Sequence, residues 1–170
     1  MTQNTPRSGL GSGPRYRDWT GQPIENFPQN ITPGASAFVL NDEGKLLLQK
    51  RSDNGHWCMP GGRMDPGESI AQTCVREVWE ETGLHVKIIR LIGVYSDPRD
   101  FAIATYPDGN SNQLLSLSFE CGIIGGELTL SHEGTELGFY SLESLPEPML
   151  LTHKIRIEDA LKELKKTIIR

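Results

Sequence analysis

Gly62–Leu84 reads GRMDPGESIAQTCVREVWEETGL, and the reading of this stretch decides the fold. Ser69 is a good N-cap, and Gln72 three residues later completes a capping box. A helix is therefore expected from Ile70 to about Thr82, closed by Gly83. Ile70, Ala71, Cys74, Val75 and Val78 form its apolar stripe. Glu77, Glu80 and Glu81 stand at i, i+3 and i+4, so they share a different face. Like charges at that spacing destabilise a helix. A hard divalent cation would reverse that cost, because carboxylate oxygens are its preferred ligands.

The rest of the chain bounds what such a site can serve. Its 170 residues are enough for one domain with a real core. The hydrophobic and charged fractions, 36% and 23%, are those of a soluble globular protein. No apolar run reaches membrane-spanning length, and the first residues lack the apolar core of a secretory signal. Cys58, Cys74 and Cys121 form no C-x-x-C pair, so neither a disulfide framework nor a zinc site is expected, and a reducing cytoplasm is the default. A net charge of -5 argues against a nucleic-acid polymer as partner.

Outward from the helix, residues 1–32 read as a partly flexible extension rich in Gly, Pro, Ser and Asn. Its aromatics at Tyr16, Trp19 and Phe27 could pack on the domain or on a second subunit. The domain is expected over 33–170. Ala35–Leu40 and Lys45–Lys50, joined by Asn41-Asp42-Glu43-Gly44, read as a β-hairpin. His56–Met59 is a short extended piece stopped by Pro60, Gly61 and Gly62. Val86–Tyr95 and Leu114–Ile124 are strands. The long segment Ser96–Asn112 between them is of a length that is often functional, with a short hairpin around Phe101–Tyr106. Leu128–Leu130 and Leu137–Leu142 read as short strands, and Leu142–Leu145 as a helical turn. Thr152–Ile169 reads as an amphipathic helix with Ile155, Ala160, Leu161, Leu164 and Ile168 on its apolar side. Strands outnumber helices, which suggests an α/β protein with helices on both sides of a mixed sheet.

Gly62–Leu84 resembles the Nudix box, G-x5-E-x7-R-E-U-x-E-E-x-G-U with U a bulky aliphatic residue. Every defined position is filled: Gly62, Glu68, Arg76, Glu77, Val78, Glu80, Glu81, Gly83 and Leu84. The approach Trp57-Cys58-Met59-Pro60-Gly61 is also similar, and the likeness extends over about Pro33–Pro146. It implies the Nudix fold, an α/β/α sandwich around a mixed β-sheet. It also implies Mg2+- or Mn2+-dependent hydrolysis of a nucleoside diphosphate linked to another group. By the same resemblance Glu77, Glu80, Glu81 and the Gly61 carbonyl are the metal ligands, and Glu68 and Arg76 support them.

Water must attack phosphorus in an anionic pyrophosphate, which an acidic site alone would repel. Bound cations invert that field and lower the pKa of a coordinated water. Gly61-Gly62 lets the backbone come close. The general base must lie within reach of the water. Glu77 is one candidate; Glu133 and Glu136, in the acidic loop before the last strand, are others, with Glu133 preferred. Glu77, Glu80 and Glu133 are thus the expected catalytic residues. Arg51, Trp57, Arg99, Tyr106 and Gln113 are candidate substrate contacts, and no histidine is read as a ligand. Pro98 stands one residue short of the position where ADP-ribose hydrolases often carry a proline. The substrate is expected to be ADP-ribose or similar to a nucleotide sugar. The alternatives are a housecleaning (deoxy)nucleoside triphosphate pyrophosphatase and a non-catalytic nucleotide-binding regulator. A homodimer, with the N-terminal segment exchanged between subunits, is left open.

Overall fold

A computed structural model describes residues 16–162 and 166–170. The helix α1 spans Ile70–Thr82 as its sequence demands. The capping box between Ser69 and Gln72 is formed in both directions, and Gly83 closes the helix in the left-handed conformation at φ 73°. Cys74 and Val78 are fully buried, with Ile70 and Val75 packed beside them. Ala71 is exposed, and Thr73 is buried in its place.

The strands are β1 (Ile31–Val39), β2 (Leu46–Arg51), β3 (Trp57–Cys58), β4 (Gly61–Arg63), β5 (Leu84–Tyr95), β6 (Ile103–Thr105), β7 (Ser111–Gly126), β8 (Gly134–Tyr140) and β9 (Ile168–Ile169). They form a six-stranded mixed sheet in the order β4-β1-β7-β5-β9, with β6 paired to β7, and a three-stranded sheet β3-β2-β8. The sequence of β1 explains its central place. Ala35, Ala37 and Val39 enter the core under α1, while Phe38 enters a second core on the opposite side. A strand buried on both faces belongs inside a sheet. Accordingly β1 runs parallel to β7 from Ile31↔Gln113 to Val39↔Cys121.

The second core lies under helix α2 (Leu151–Leu161), which contributes Ile157 to it. With α1 on one face and α2 on the other, the architecture is the expected α/β/α sandwich.

Several expectations are corrected. The hairpin of Ala35–Leu40 and Lys45–Lys50 is not a two-stranded unit: after one bridge, Leu40↔Leu46, its arms part into different sheets. The reason is burial, since Leu46, Leu47 and Leu48 are all fully covered and β2 pairs instead with β8. Leu128–Leu130 lies outside the strands, Leu142–Leu145 is a turn rather than a helix, and the last strand of the small sheet starts at Gly134. The terminal helix stops at Leu161, and Ile168–Ile169 pair in parallel with Gly93–Val94 of β5. Gly93 permits this approach, because a Cβ there would lie 2.8 Å from the Ile168 carbonyl oxygen.

The buried side of α2 also differs from expectation. Thr152, His153, Arg156, Ile157 and Asp159 are its buried residues, whereas Leu161 is exposed. Leu164 lies outside the described residues.

Residues 1–15 lie outside the described part. The remainder of the N-terminal segment packs on its own domain: Trp19 is buried with Cys58, Ala102, Ala104, Leu114 and Leu150. The backbone N–H of Trp19 donates to the Ile103 carbonyl, and that of Leu151 donates to the Trp19 carbonyl. The segment Ser96–Asn112 contains the expected small hairpin, β6 against the start of β7. Among the described residues no helix is long and apolar enough to cross a membrane.

Candidate active site

A cleft of about 770 Å³ opens between the edge of β1–β4, the glutamate face of α1, the β6–β7 turn and the start of α2. Gly61, Glu77, Glu80, Glu81, Arg76 and Glu133 all line it. One wall is therefore acidic and comes mainly from a single helix.

Two glycines bring that wall against the backbone. Gly61 has φ 149°, and a Cβ there would sit 2.2 Å from the Ala35 carbonyl oxygen across the β1–β4 pair. A Cβ at Gly62 would lie 2.5 Å from the Glu77 carboxylate, which packs directly over it. The Gly61 N–H donates to Glu81 Oε2 at 2.7 Å.

Arg76 holds the rest of the cluster. Its Nε donates to Glu68 Oε1 at 2.6 Å and its Nη2 to Glu68 Oε2 at 2.9 Å, a bidentate pair. Nη1 donates to both Glu77 Oε1 and Glu80 Oε2 at 2.9 Å, and Nη2 also reaches the Arg63 carbonyl at 3.0 Å. Glu68 itself lines a neighbouring depression with Arg76 and Trp79. It also accepts from Thr73 Oγ1 at 3.0 Å and the Asp65 N–H at 3.2 Å. The Arg76 guanidinium, with these donors, pulls the Glu68 carboxyl down to about 2. Glu68 thus anchors Arg76, and Arg76 orients Glu77 and Glu80.

The cleft carboxylates behave differently from Glu68. Glu81 is only 4% exposed, and burial pushes its carboxyl up to about 8 against the pull of the Gly61 N–H and Gln49. Burial likewise raises Glu77, with Glu80 and Glu133 adding repulsion and Arg76 opposing it. Buried carboxylates crowded in one wall are what a divalent cation would relieve. Oxygen donors only, from a rigid helix beside the half-buried Gly61–Gly62 backbone of β4, fit a hard cation. Among the described residues no three of these groups converge on one point, and Arg76 bridges Glu77 and Glu80.

Glu133 faces the same wall. Its carbonyl accepts from both the N–H of Ser52, at 3.0 Å, and Ser52 Oγ, at 2.8 Å, which pins the loop before β8. Glu136 instead pairs with Lys50 at 2.8 Å.

Of the five candidate substrate contacts, Arg51 and Tyr106 line the cleft. Arg51 pairs with Asp53 and lies 5.1 Å from the ring centre of Trp19. The other three are placed elsewhere. Trp57 is 4% exposed, in the core under α2 and edge-on to Tyr140. Arg99 pairs with Asp97 on a short 3-10 turn that Pro98 opens. Gln113 donates to the Ser96 carbonyl at 2.9 Å. A Trp in a β-strand and an Arg beside an Asp have local partners that compete with a ligand.

Sequence reasoning missed Trp19, Ser36, His153 and Arg156, all of which line the cleft. Trp19 comes from the extension. His153 and Arg156 sit on the face of α2 that polarity assigns to solvent.

Comparisons with known proteins bear on family and fold. The NUDIX domain family profile matches residues 30–163. A "MutT-like protein" of Streptomyces ambofaciens is 33% identical over 144 residues, covering 84% of this chain and 86% of the relative. An "ADP-ribose pyrophosphatase" of Methanocaldococcus jannaschii is 36% identical over 128 residues, 73% of this chain and 70% of the relative. The crystal structure of a MutT protein from Methanosarcina mazei superimposes with a TM-score of 0.66 at 26% identity, covering 83% of this chain and all of the other. These likenesses define a hydrolase. The chain belongs to the NUDIX family.

Proposed function

We propose that this Nudix hydrolase cleaves the pyrophosphate of a nucleoside diphosphate linked to a second group, such as ADP-ribose or a nucleotide sugar, with Mg2+. The observation that carries the reading is the acidic wall of Glu77, Glu80 and Glu81, held beside Gly61 and faced by Glu133 in one cleft. The Methanocaldococcus relative, named for ADP-ribose, supports the substrate class.

Glu77, Glu80, Glu81 and the Gly61 carbonyl would hold the cation. Mg2+ would supply a coordinated water of lowered pKa and charge screening for the phosphates. Arg76, fixed by Glu68, keeps Glu77 and Glu80 on the cleft side of α1. Glu133 accepts the proton of the attacking water. Its neighbour Glu77, raised by burial, is the second group able to take part. Arg51 and Tyr106 bind the nucleotide from the facing loops.

A panel of ADP-ribose, nucleotide sugars and (deoxy)nucleoside triphosphates, with and without Mg2+, tests the reading. Hydrolysis of the first two classes with release of two monophosphates is expected. Preferential release of inorganic pyrophosphate from triphosphates would replace it with a housecleaning activity. No turnover of any compound would leave a nucleotide-binding regulator. Glu133→Gln at the parental rate would remove that residue from the mechanism.

A further inference from the structure

The cleft has two ends of opposite chemistry. The glutamate wall lies on the α1 side. On the α2 side the lining includes Ser36, Ser116, His153 and Arg156. β1 separates the two, because Ala35 and Ala37 turn toward α1 while Phe38, in step with Ser36, turns toward α2.

Arg156 is 2% exposed, and no described ion pair includes it. Asp159, three residues on along α2, is occupied by Arg170 at 2.8 Å and Lys162 at 2.8 Å. Arg156 Nη2 donates to Thr152 Oγ1 at 3.0 Å and Arg156 Nη1 weakly to Ser36 Oγ at 3.4 Å. The guanidinium lies 5.4 Å from the centre of the Tyr95 ring, and its buried Nε has no hydrogen-bond partner among the described residues. Removal from water without a counter-charge brings even this guanidinium down to about 10.

His153 adds a donor. Its Nδ1 accepts the Met59 N–H at 3.1 Å, so the neutral ring carries its proton on Nε2. Burial, with the charges of Arg156 and Arg51, keeps that ring neutral. Among the described residues this end of the cleft therefore offers a cation, an imidazole N–H and hydroxyls, and no carboxylate.

A buried cation lacking a counter-ion is costly, and one that lines a ligand cleft is complemented by an anion entering it. We propose that the Arg156 pit is a subsite for an oxyanion, a phosphomonoester or a carboxylate, carried by the substrate in addition to its pyrophosphate. The inference rests on the proposed hydrolysis for the placement of the pyrophosphate at the glutamate wall. It names Arg156 as the specificity residue for the group at the other end.

Two substrate pairs differing only in that anion test it. ADP-ribose is compared with its 2′-phosphate, and UDP-glucose with UDP-glucuronate, by kcat/KM in Mg2+. The parent should prefer an anionic member by about tenfold or more, the size of one charge-assisted contact. The first pair reports a phosphate and the second a carboxylate. Arg156→Met should erase the preference, and Arg156→Lys should keep part of it. A parent without preference in either pair, or a preference surviving in Arg156→Met, overturns the proposal. So does a preference for 6-oxo over 6-amino purines that Arg156→Met removes, because the pit would then read a base edge.

A second readout is independent of turnover. In chelator at constant ionic strength, inorganic phosphate should raise the melting temperature of the parent but not of Arg156→Met. The ligand-free variant should melt no lower than the parent, since it loses an uncompensated charge. A lower melting temperature, or an equal phosphate shift in both proteins, assigns Arg156 a structural role and overturns the proposal. Failure of all hydrolysis would sink the proposed function, while the phosphate arm would still report on the pit.

Discussion

Replacing Glu81 by Gln tests whether burial or coordination governs the acidic wall. Glu81 is 4% exposed and its carboxyl is raised to about 8 from 4.5, chiefly by burial. In the unfolded chain it ionises above pH 4.5, whereas in the folded, metal-free protein it keeps its proton until about pH 8. Its contribution to stability is therefore complete below pH 4.5 and lost as the pH rises through 8. At about 1.4 kcal/mol per unit, the loss at pH 7 is roughly 3 kcal/mol. A neutral Gln keeps an acceptor for the Gly61 N–H and has no such loss. Urea unfolding in chelator, followed by tryptophan fluorescence, should show Glu81→Gln gaining on the parent by roughly 3 kcal/mol between pH 4.5 and pH 7. Carboxylates remote from Glu81 shift alike in both proteins and cancel in the difference; Glu77, whose charge repels Glu81, does not. Added Mg2+ should then close most of that gap: at a hundred times its dissociation constant it stabilises the parent by about 2.7 kcal/mol, and the variant far less. Activity in Mg2+ should disappear while the fold remains. A stability difference independent of pH would refute the burial argument. Equal stabilisation of both proteins by Mg2+ would refute the ligand assignment.

The two glycines should separate backbone from side-chain constraint. Gly61→Ala drives a Cβ into the Ala35 carbonyl at positive φ and should prevent folding, whereas Gly62→Ala meets only the movable end of Glu77 and should fold with reduced kcat, as circular dichroism and initial rates would show. Arg76→Gln removes the fork that orients Glu77 and Glu80 and should weaken Mg2+ affinity about 10- to 100-fold in calorimetric titration, with secondary structure retained. Trp57→Ala opens the core under α2 and should cost about 3–5 kcal/mol in urea unfolding, with KM for the nucleotide unchanged in the folded fraction; a selective rise in KM would return Trp57 to the substrate contacts.

Much of the structure is legible in local sequence because its determinants are local. The limits of α1 follow from Ser69, Gln72 and Gly83, each of which acts within a few residues of the helix end. Strand existence is readable in β5 and β7, where β-branched and apolar residues recur. Pairing is not, because β1 and β2 look like a hairpin and are divided by which cores their leucines and alanines fill. The C-terminal end is misread for a related reason. Ile168 fits a helical stripe, yet the open backbone at Gly93 and the pairing of Arg170 with Asp159 hold it as a strand.

Gly62–Leu84 by itself determined the helix, its caps and the clustering of Glu77, Glu80 and Glu81. These depend on spacing along one helix, which sequence states directly. Tertiary structure alone decided that Glu81 is buried, that Glu133 rather than Glu136 faces the cluster, and that Trp57 fills the core. It alone brought Trp19, His153 and Arg156 into the cleft. Burial and long-range apposition depend on which surfaces meet. A polar helix face such as that of α2 looks like a solvated one until another element covers it.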